Sequence, residues 1–327
     1  MEKAGTITSV ELAKLCGVSQ GTVDRALNNR AGISPKTKDK ILKTAREYGY
    51  IKNMNASFLA SGKTKLLGLV VFNFNNEFFA QLTAAIERKA SEFGYSLLIS
   101  VSNFDINKEK EAIERLLSFG VDGVILCPVG FGAEYEAFIS RYQKPIITIA
   151  NKAGDSIPFI GADDKAILEQ ITEYAFSKGY EDVVFYTPPL RFLGATNIYA
   201  QKMRAEGYKN AIKRLSKKEY VFTSEDDVIN YLKNHNKKIA VVTASDIYAL
   251  KLMSSLKKEG KSNPNDVGVC GFDNISSLSL FEKQLTTVNY PITEVGEAAV
   301  EYIINFINNN QATVPDLKCN VVFGETL

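Results

Sequence analysis

The apolar positions change their rhythm along the chain. Over the first fifty or so residues Leu12, Leu15, Val18, Val23, Leu27, Ile33, Ile41, Ala45 and Tyr48 recur at helical spacing, enough to close one miniature core. Capping residues divide this stretch into three short helices. Thr8-Ser9-Val10-Glu11 has the form of a capping box, and Ser19 opens the stretch Gln20 to Leu27. Ser34-Pro35 starts a third helix running to Tyr48, where Gly49 stops it.

From Leu66 the rhythm becomes short β-rich runs separated by amphipathic stretches. The runs are Leu66 to Phe72, Ser96 to Val101, Gly123 to Leu126 and Pro145 to Ile149. Helices are expected at Phe78–Phe93, Lys108–Phe119 and Glu134–Tyr142. The alternation restarts after Asp163, with runs at Asp182–Tyr186, Ile239–Thr243 and Val267–Gly271. The pattern predicts an α/β fold: a small all-α headpiece, then a two-lobed core of parallel sheets with a ligand crevice at the strand carboxyl ends.

Charge sharpens this division. Residues 1–65 hold 12 Lys/Arg against 5 Asp/Glu, while the rest of the chain holds 27 against 32. A basic head on an acidic body suits a polyanion-binding module attached to something that is not one. Cys16, Cys127, Cys270 and Cys319 are widely separated in apolar stretches, which fits neither a zinc site nor a disulfide framework. No apolar run reaches the length of a membrane span, and Met1 to Gly5 lead into an amphipathic segment, so a cytoplasmic location is expected. No enzyme is expected either. The single His, His235, lies in a polar stretch, and Gly130-Phe131-Gly132 is an isolated glycine pair without a phosphate-loop context. No cofactor or metal is implied.

The first two helices carry the most specific signal. Ala13 is small where two helices cross closely, Gly17 falls in the turn, and Val18 and Val23 fill the angle between helices. This spacing predicts a helix-turn-helix whose second helix faces the DNA major groove. Its exposed positions are Gln20, Gly21, Thr22, Asp24, Arg25 and Asn28. Gln20 and Arg25 can each make bidentate contacts with a purine edge. Thr8, Ser19 and Thr22 stand near helix starts, where hydroxyls and N–H groups meet phosphate.

Thr8 to Ala13, Gly17 to Asn28 and Ile33 to Thr37 together resemble the headpiece of LacI/GalR-type repressors. The resemblance implies base reading by Gln20, Gly21 and Arg25, with Asn28 and Thr37 also facing DNA. Gly21 offers no side chain, and Asp24 stands where Ser is common. Tyr50 to Gly62 resembles the family's hinge, with Ala56 small enough for close approach and Leu59 as an apolar wedge for the minor groove. Asn76-Glu77-Phe78-Phe79, Gly120 to Ile125, Val267 to Asn274 and Thr286 to Pro291 resemble core motifs in the family's order. The implied organisation is a headpiece at 1–50, a hinge at 51–63, one lobe from 64–159 with 290–315, and a second from 160–289 with 316–327. The helix Thr293–Asn308 and the strand near Asn320–Phe323 make the return crossings.

The resemblance implies a periplasmic-binding-protein-like core with an effector cleft formed by Phe78, Phe79, Asn151, Arg204, Ser245, Asp273 and Asn289. Arg204 suits vicinal hydroxyls or a carboxylate, and Asp273 suits hydroxyl donors. Ala150-Asn151 and Ser245-Asp246 depart from the pattern of sugar sensors. The expected partners are a palindromic operator in double-stranded DNA, a small sugar-like effector and a second copy of the chain, without a membrane. A nucleobase or nucleoside effector would keep the same mechanism. An exported sugar-binding receptor is the rival of a different class, and the basic head weighs against it.

Overall fold

The computed structural model describes residues 7–51, 62–189 and 197–327. The chain separates into one unit of residues 1–64 and another of residues 65–327.

The small unit holds α1 (Ser9–Cys16), α2 (Gln20–Leu27) and α3 (Pro35–Glu47). Each helix starts at the cap its sequence predicts. Glu11 N–H donates to Thr8 Oγ1 at 3.2 Å while Thr8 N–H donates back to Glu11 Oε2 at 2.7 Å. Ser19 and Ser34 accept from the N–H groups of Thr22 and Thr37. Gly17 ends α1 at φ +65°, a left-handed conformation that glycine adopts without strain. Leu12, Ala13, Cys16, Val23, Ala26, Ile41 and Ala45 form the core, flanked by Val18, Leu27, Ile33 and Tyr50. Leu15 and Tyr48, expected inside, are 46% and 52% exposed. In α1 the buried face runs through Leu12, Ala13 and Cys16, which turns Leu15 outward. Tyr48 caps α3, and Tyr50 packs in its place.

The large unit contains two sheets. The first joins β1 (Leu66–Val71), β2 (Ser96–Val101), β3 (Gly123–Leu126), β4 (Ile146–Ile149) and β5 (Phe159–Ile160) in the order β2-β1-β3-β4-β5, all parallel. The second joins β6 (Asp182–Tyr186), β7 (Val221–Phe222), β8 (Ile239–Thr243), β9 (Val267–Asp273), β10 (Thr286–Asn289) and β11 (Asn320–Val322) in the order β11-β10-β9-β8-β6-β7. Only β11 runs antiparallel to its neighbour. β3, β4, β6, β8 and β9 are buried at every position, as parallel strands covered on both faces must be. The two-residue strands β5 and β7 are too short to show a period, and β10 reads in sequence as a crossover.

The covering helices are α4 (Glu77–Glu92), α5 (Ile106–Ser118), α6 (Ala133–Ser140), α7 (Asp164–Ser177), α8 (Tyr199–Arg214), α9 (Glu225–Lys233), α10 (Asp246–Lys258) and α11 (Ile292–Ile307). α11 returns to the first sheet, packing on α4, β3 and β4. Among the described residues no helix is long and apolar enough to cross a membrane.

α7 and α8 meet at Gly207, where a Cβ would lie 2.2 Å from the Lys165 carbonyl oxygen and 2.9 Å from Leu168 Cβ. Backbone cannot yield as a side chain can. Gly207→Ala should therefore lower the unfolding free energy of the core by about 1–3 kcal/mol, as overpacking does elsewhere. A urea melt of the variant that coincides with the wild type would show that the helices separate freely.

Candidate functional site

The headpiece presents α2 with Gln20, Gly21 and Arg25 exposed and with Thr22 and Asn28 half-buried. Gln20 Nε2 donates to Ser9 Oγ at 2.9 Å, which ties the start of α2 to the start of α1. A Cβ on Gly21 would meet nothing closer than Ser19 Oγ at 3.8 Å, so packing does not demand glycine there. Asp24 is shielded by its own neighbours: Asn28 Nδ2 donates to its Oδ1 at 2.6 Å and Arg30 to its Oδ2 at 3.1 Å. The hydroxyls of Ser19 and Thr22, and of Ser34 and Thr37, are paired at 2.9 and 2.8 Å beside the N–H groups of the helix starts. Ala56 and Leu59 lie outside the described residues.

In the large unit a cleft of about 370 Å³ opens where the carboxyl ends of the two sheets face each other. Its walls come from the residues that follow or end strands: Phe72 after β1, Phe104 after β2, Ala150 and Asn151 after β4, Ser245 after β8, Asp273 at the end of β9, and Tyr290 after β10. Phe78 and Phe79, in the first turn of α4, extend the apolar wall. Phe72 stacks on Phe104 with centroids 4.8 Å apart and meets Phe79 edge-on at 5.3 Å.

Arg204, in the second turn of α8, supplies the buried charge. Its Nε donates to Asp164 Oδ1 at 2.8 Å, one Nη donates to the Ala244 carbonyl, and the other lies 3.9 Å from Asp273 Oδ1. Its planar face covers the ring of Phe272 at 3.5 Å. One cation thus stands between two buried acids. Burial works against the guanidinium's charge, but Asp164 and Asp273 outweigh it, and its pKa is raised. Burial also pushes the Asp273 carboxyl well above the usual range, with Arg204 opposing and Asp246 adding repulsion. A carboxyl held in this way can donate to a ligand as well as accept.

The sequence-derived residues are not all brought together. Phe78, Phe79, Asn151, Arg204, Ser245 and Asp273 line the cleft. Asn289 does not: its Oδ1 accepts from Asn274 Nδ2 and its Nδ2 donates to Asn320, both at 3.0 Å, so its amide closes the edge between β10 and β11. Asn151 faces α8, accepting from Ala200 N–H at 3.0 Å. Sequence reasoning missed Gln201, whose buried Oε1 in the cleft wall has no hydrogen-bond partner among the described residues. Its position one helical turn before Arg204 was the available signal. It also missed Asn197, just ahead of α8, whose Nδ2 donates to the carbonyls of Gly130 and Lys152, each at 2.9 Å.

Known proteins share both units. Residues 8–53 match the family of bacterial regulatory proteins, lacI family, and residues 64–325 match periplasmic binding proteins and the sugar binding domain of the LacI family. The HTH-type transcriptional regulator KdgR of Bacillus subtilis is 26% identical, across 99% of this chain and 98% of its own. Catabolite control protein A of Priestia megaterium is 24% identical, across 92% and 93%. Among solved structures, the Lac repressor bound to ONPG in the repressed state superposes with a TM-score of 0.85 at 21% identity, over 99% of this chain and all of that one. A periplasmic binding protein/LacI transcriptional regulator from Alkaliphilus metalliredigens, complexed with D-xylulofuranose, gives a TM-score of 0.68 at 26% identity, over 80% of this chain and 98% of that one. With a capped helix-turn-helix unit and a core cleft walled by strand ends, and with both units matched, the chain belongs to the LacI family of bacterial regulatory proteins.

Proposed function

We propose that this protein is a cytoplasmic repressor that binds a two-fold-symmetric operator as a homodimer, its affinity set by a sugar or sugar derivative in the core cleft. It works by binding alone, without cofactor or catalysed reaction. The composition of the cleft carries this reading. An aromatic wall of Phe72, Phe79 and Phe104 offers a face for C–H groups, and Arg204, Asp273 and Gln201 Oε1, unpaired among the described residues, offer donors and acceptors for hydroxyls. The D-xylulofuranose complex of the Alkaliphilus metalliredigens relative supports the same ligand class.

On the DNA side Gln20 and Arg25 read bases, while Thr8, Ser19, Thr22 and Thr37 meet phosphates. Asn28, tied to Asp24, orders the end of α2. Exposed apolar residues on the core, Ile99 and Val101 on the edge strand β2 and Leu280 and Phe281 on the second lobe, support pairing of two copies. Lobe closure around the effector shifts the first lobes of the dimer and, through residues 51–63, the spacing of the headpieces.

A thermal-shift screen against monosaccharides, sugar acids, sugar phosphates, polyols, nucleosides and nucleobases tests the ligand class. At a hundredfold excess over Kd a true effector stabilises the fold by about 2.7 kcal/mol. A hit confined to nucleobases would replace the sugar reading. Asp273→Asn should abolish the shift given by the active sugar, and an unchanged dose response would remove Asp273 from the site. On the DNA side, Arg25→Ala should cost about 1–3 kcal/mol on the preferred sequence and relax selection at one base pair of each half-site. A uniform loss over randomised sequences would reassign Arg25 to the phosphates.

A further inference from the structure

Among the buried acids outside the cleft is Glu109. Glu109, in the first turn of α5, is fully buried. Three donors converge on its carboxylate: Val129 N–H at 2.6 Å on Oε2, with Gly130 N–H at 3.1 Å and the Tyr135 hydroxyl on Oε1. The loop after β3 is pressed into this grip, because a Cβ on Gly130 would lie 2.2 Å from the Tyr135 ring. The carbonyls of the same stretch face the other lobe, so the Val129–Gly130 peptide is held from both sides. Val129 O accepts from Asn197 N–H at 3.1 Å, and Gly130 O accepts from Asn197 Nδ2. Asn197 Oδ1 in turn accepts from Tyr199 N–H at 3.1 Å, at the start of α8. Gln201 and Arg204 follow within two turns.

We propose that Glu109 is a positioning residue for closure of the cleft: its carboxylate holds the Val129–Gly130 peptides where Asn197 can clamp them, and the clamp sets the start of the helix that carries Gln201 and Arg204. The grip depends on charge. Two N–H groups and one O–H meet an acceptor-only carboxylate, and adding a proton sets donor against donor. Burial raises the Glu109 carboxyl to about 7, opposed by its three hydrogen bonds and by Lys110 on its own helix. The other titratable groups facing it do not compete. Burial, reinforced by Glu109 itself, pushes both the Tyr135 hydroxyl on α6 and the Cys127 thiol after β3 far up. Near neutrality, therefore, the proton that comes and goes in this cluster is that of Glu109, and the clamp tightens as pH rises through that range. A matching rise in effector affinity rests on the cleft being the effector site; the clamp itself does not.

Amide exchange followed by mass spectrometry on the ligand-free full chain reads the clamp directly. After correction for intrinsic rates, protection over residues 197–201 should fall about tenfold from one unit above the Glu109 midpoint to one unit below, the worth of one charge-assisted hydrogen bond. Glu109→Gln should show the low value at both pH values, and Asn197→Ala should lose protection without a pH step. Global stability should move the opposite way. Native Glu109 takes up a proton that the unfolded chain does not hold between its ordinary value and about 7, so this group stabilises the fold as pH falls through that window. If Glu109→Gln does not fold, Tyr135→Phe, which removes a hydrogen bond that lowers the midpoint, should shift the step to higher pH. A wild-type profile without a step, or a step that survives Glu109→Gln, would overturn the proposal.

Discussion

Removing a guanidinium from water costs several kcal/mol, and Arg204 recovers that cost only through the place it occupies. Asp164 comes from the start of α7, Phe272 and Asp273 from the end of β9, and the Ala244 carbonyl from just after β8. Three separate segments must therefore meet α8 together before the charge is tolerable. At an effective dielectric near 20, a charge pair about 4 Å apart is worth about 4 kcal/mol, comparable to the desolvation it offsets. The pairing does not simply hold the sheets in place. Burial, reinforced by the neighbouring acids Asp246 and Asp164, still drives the Asp273 carboxyl toward its neutral form inside the cleft.

The same region stores backbone strain. Phe104 at φ +61°, Ala150 at +62° and Asp273 at +112° all occupy the left-handed half of the map without being glycine, and all line the cleft just where strands end. Conformations of this kind persist only where the surroundings over-determine them. For Asp273 the surroundings are visible. The buried Asp246 accepts from Ile275 N–H at 2.9 Å and from the Thr287 hydroxyl, fixing the loop that leaves β9. A Cβ on Gly271 would come within 2.1 Å of that carboxylate, so the strand can lie this close only as glycine. Burial raises Asp246 to about 6, with its hydrogen bonds opposing. Its task is to shape Asp273's turn, which is a different use for the residue after Ser245 than contact with a ligand.

Much of the fold was legible because it rests on local rules. Helix caps at Thr8, Ser19 and Ser34, the left-handed Gly17 and the alternation of apolar runs each act within a few residues. The family motifs then ordered them. What escaped was set by contacts far apart in the chain. Asn289 has the right chemistry for a cleft, but its amide is taken by Asn274 and Asn320. Gln201 and Asn197 look like ordinary polar residues until α8 is placed against the other lobe. Gly130-Phe131-Gly132 carried no weight as a motif, yet Gly130 is required because the Tyr135 ring leaves no room for a Cβ. Leu15 shows the limit of reading single positions: apolarity placed it inside, and helix phase turned it out.

The open position at Gly21 bears on how such a regulator competes for sites in a whole genome. If α2 lies in the groove as proposed, a base pair in each half-site goes without a side-chain reader, and the dimer's symmetry repeats the omission. Each unread pair forgoes about 1–3 kcal/mol of discrimination against near-cognate sequences. The remaining readers and the sequence-dependent cost of bending DNA must supply what is missing. The 3.8 Å of clear space around a Cβ at this position means that any gene duplicate could acquire a reader by one substitution, without repacking the headpiece. Regulatory circuits built on this scaffold can therefore diverge at their operators while the sensing core stays unchanged.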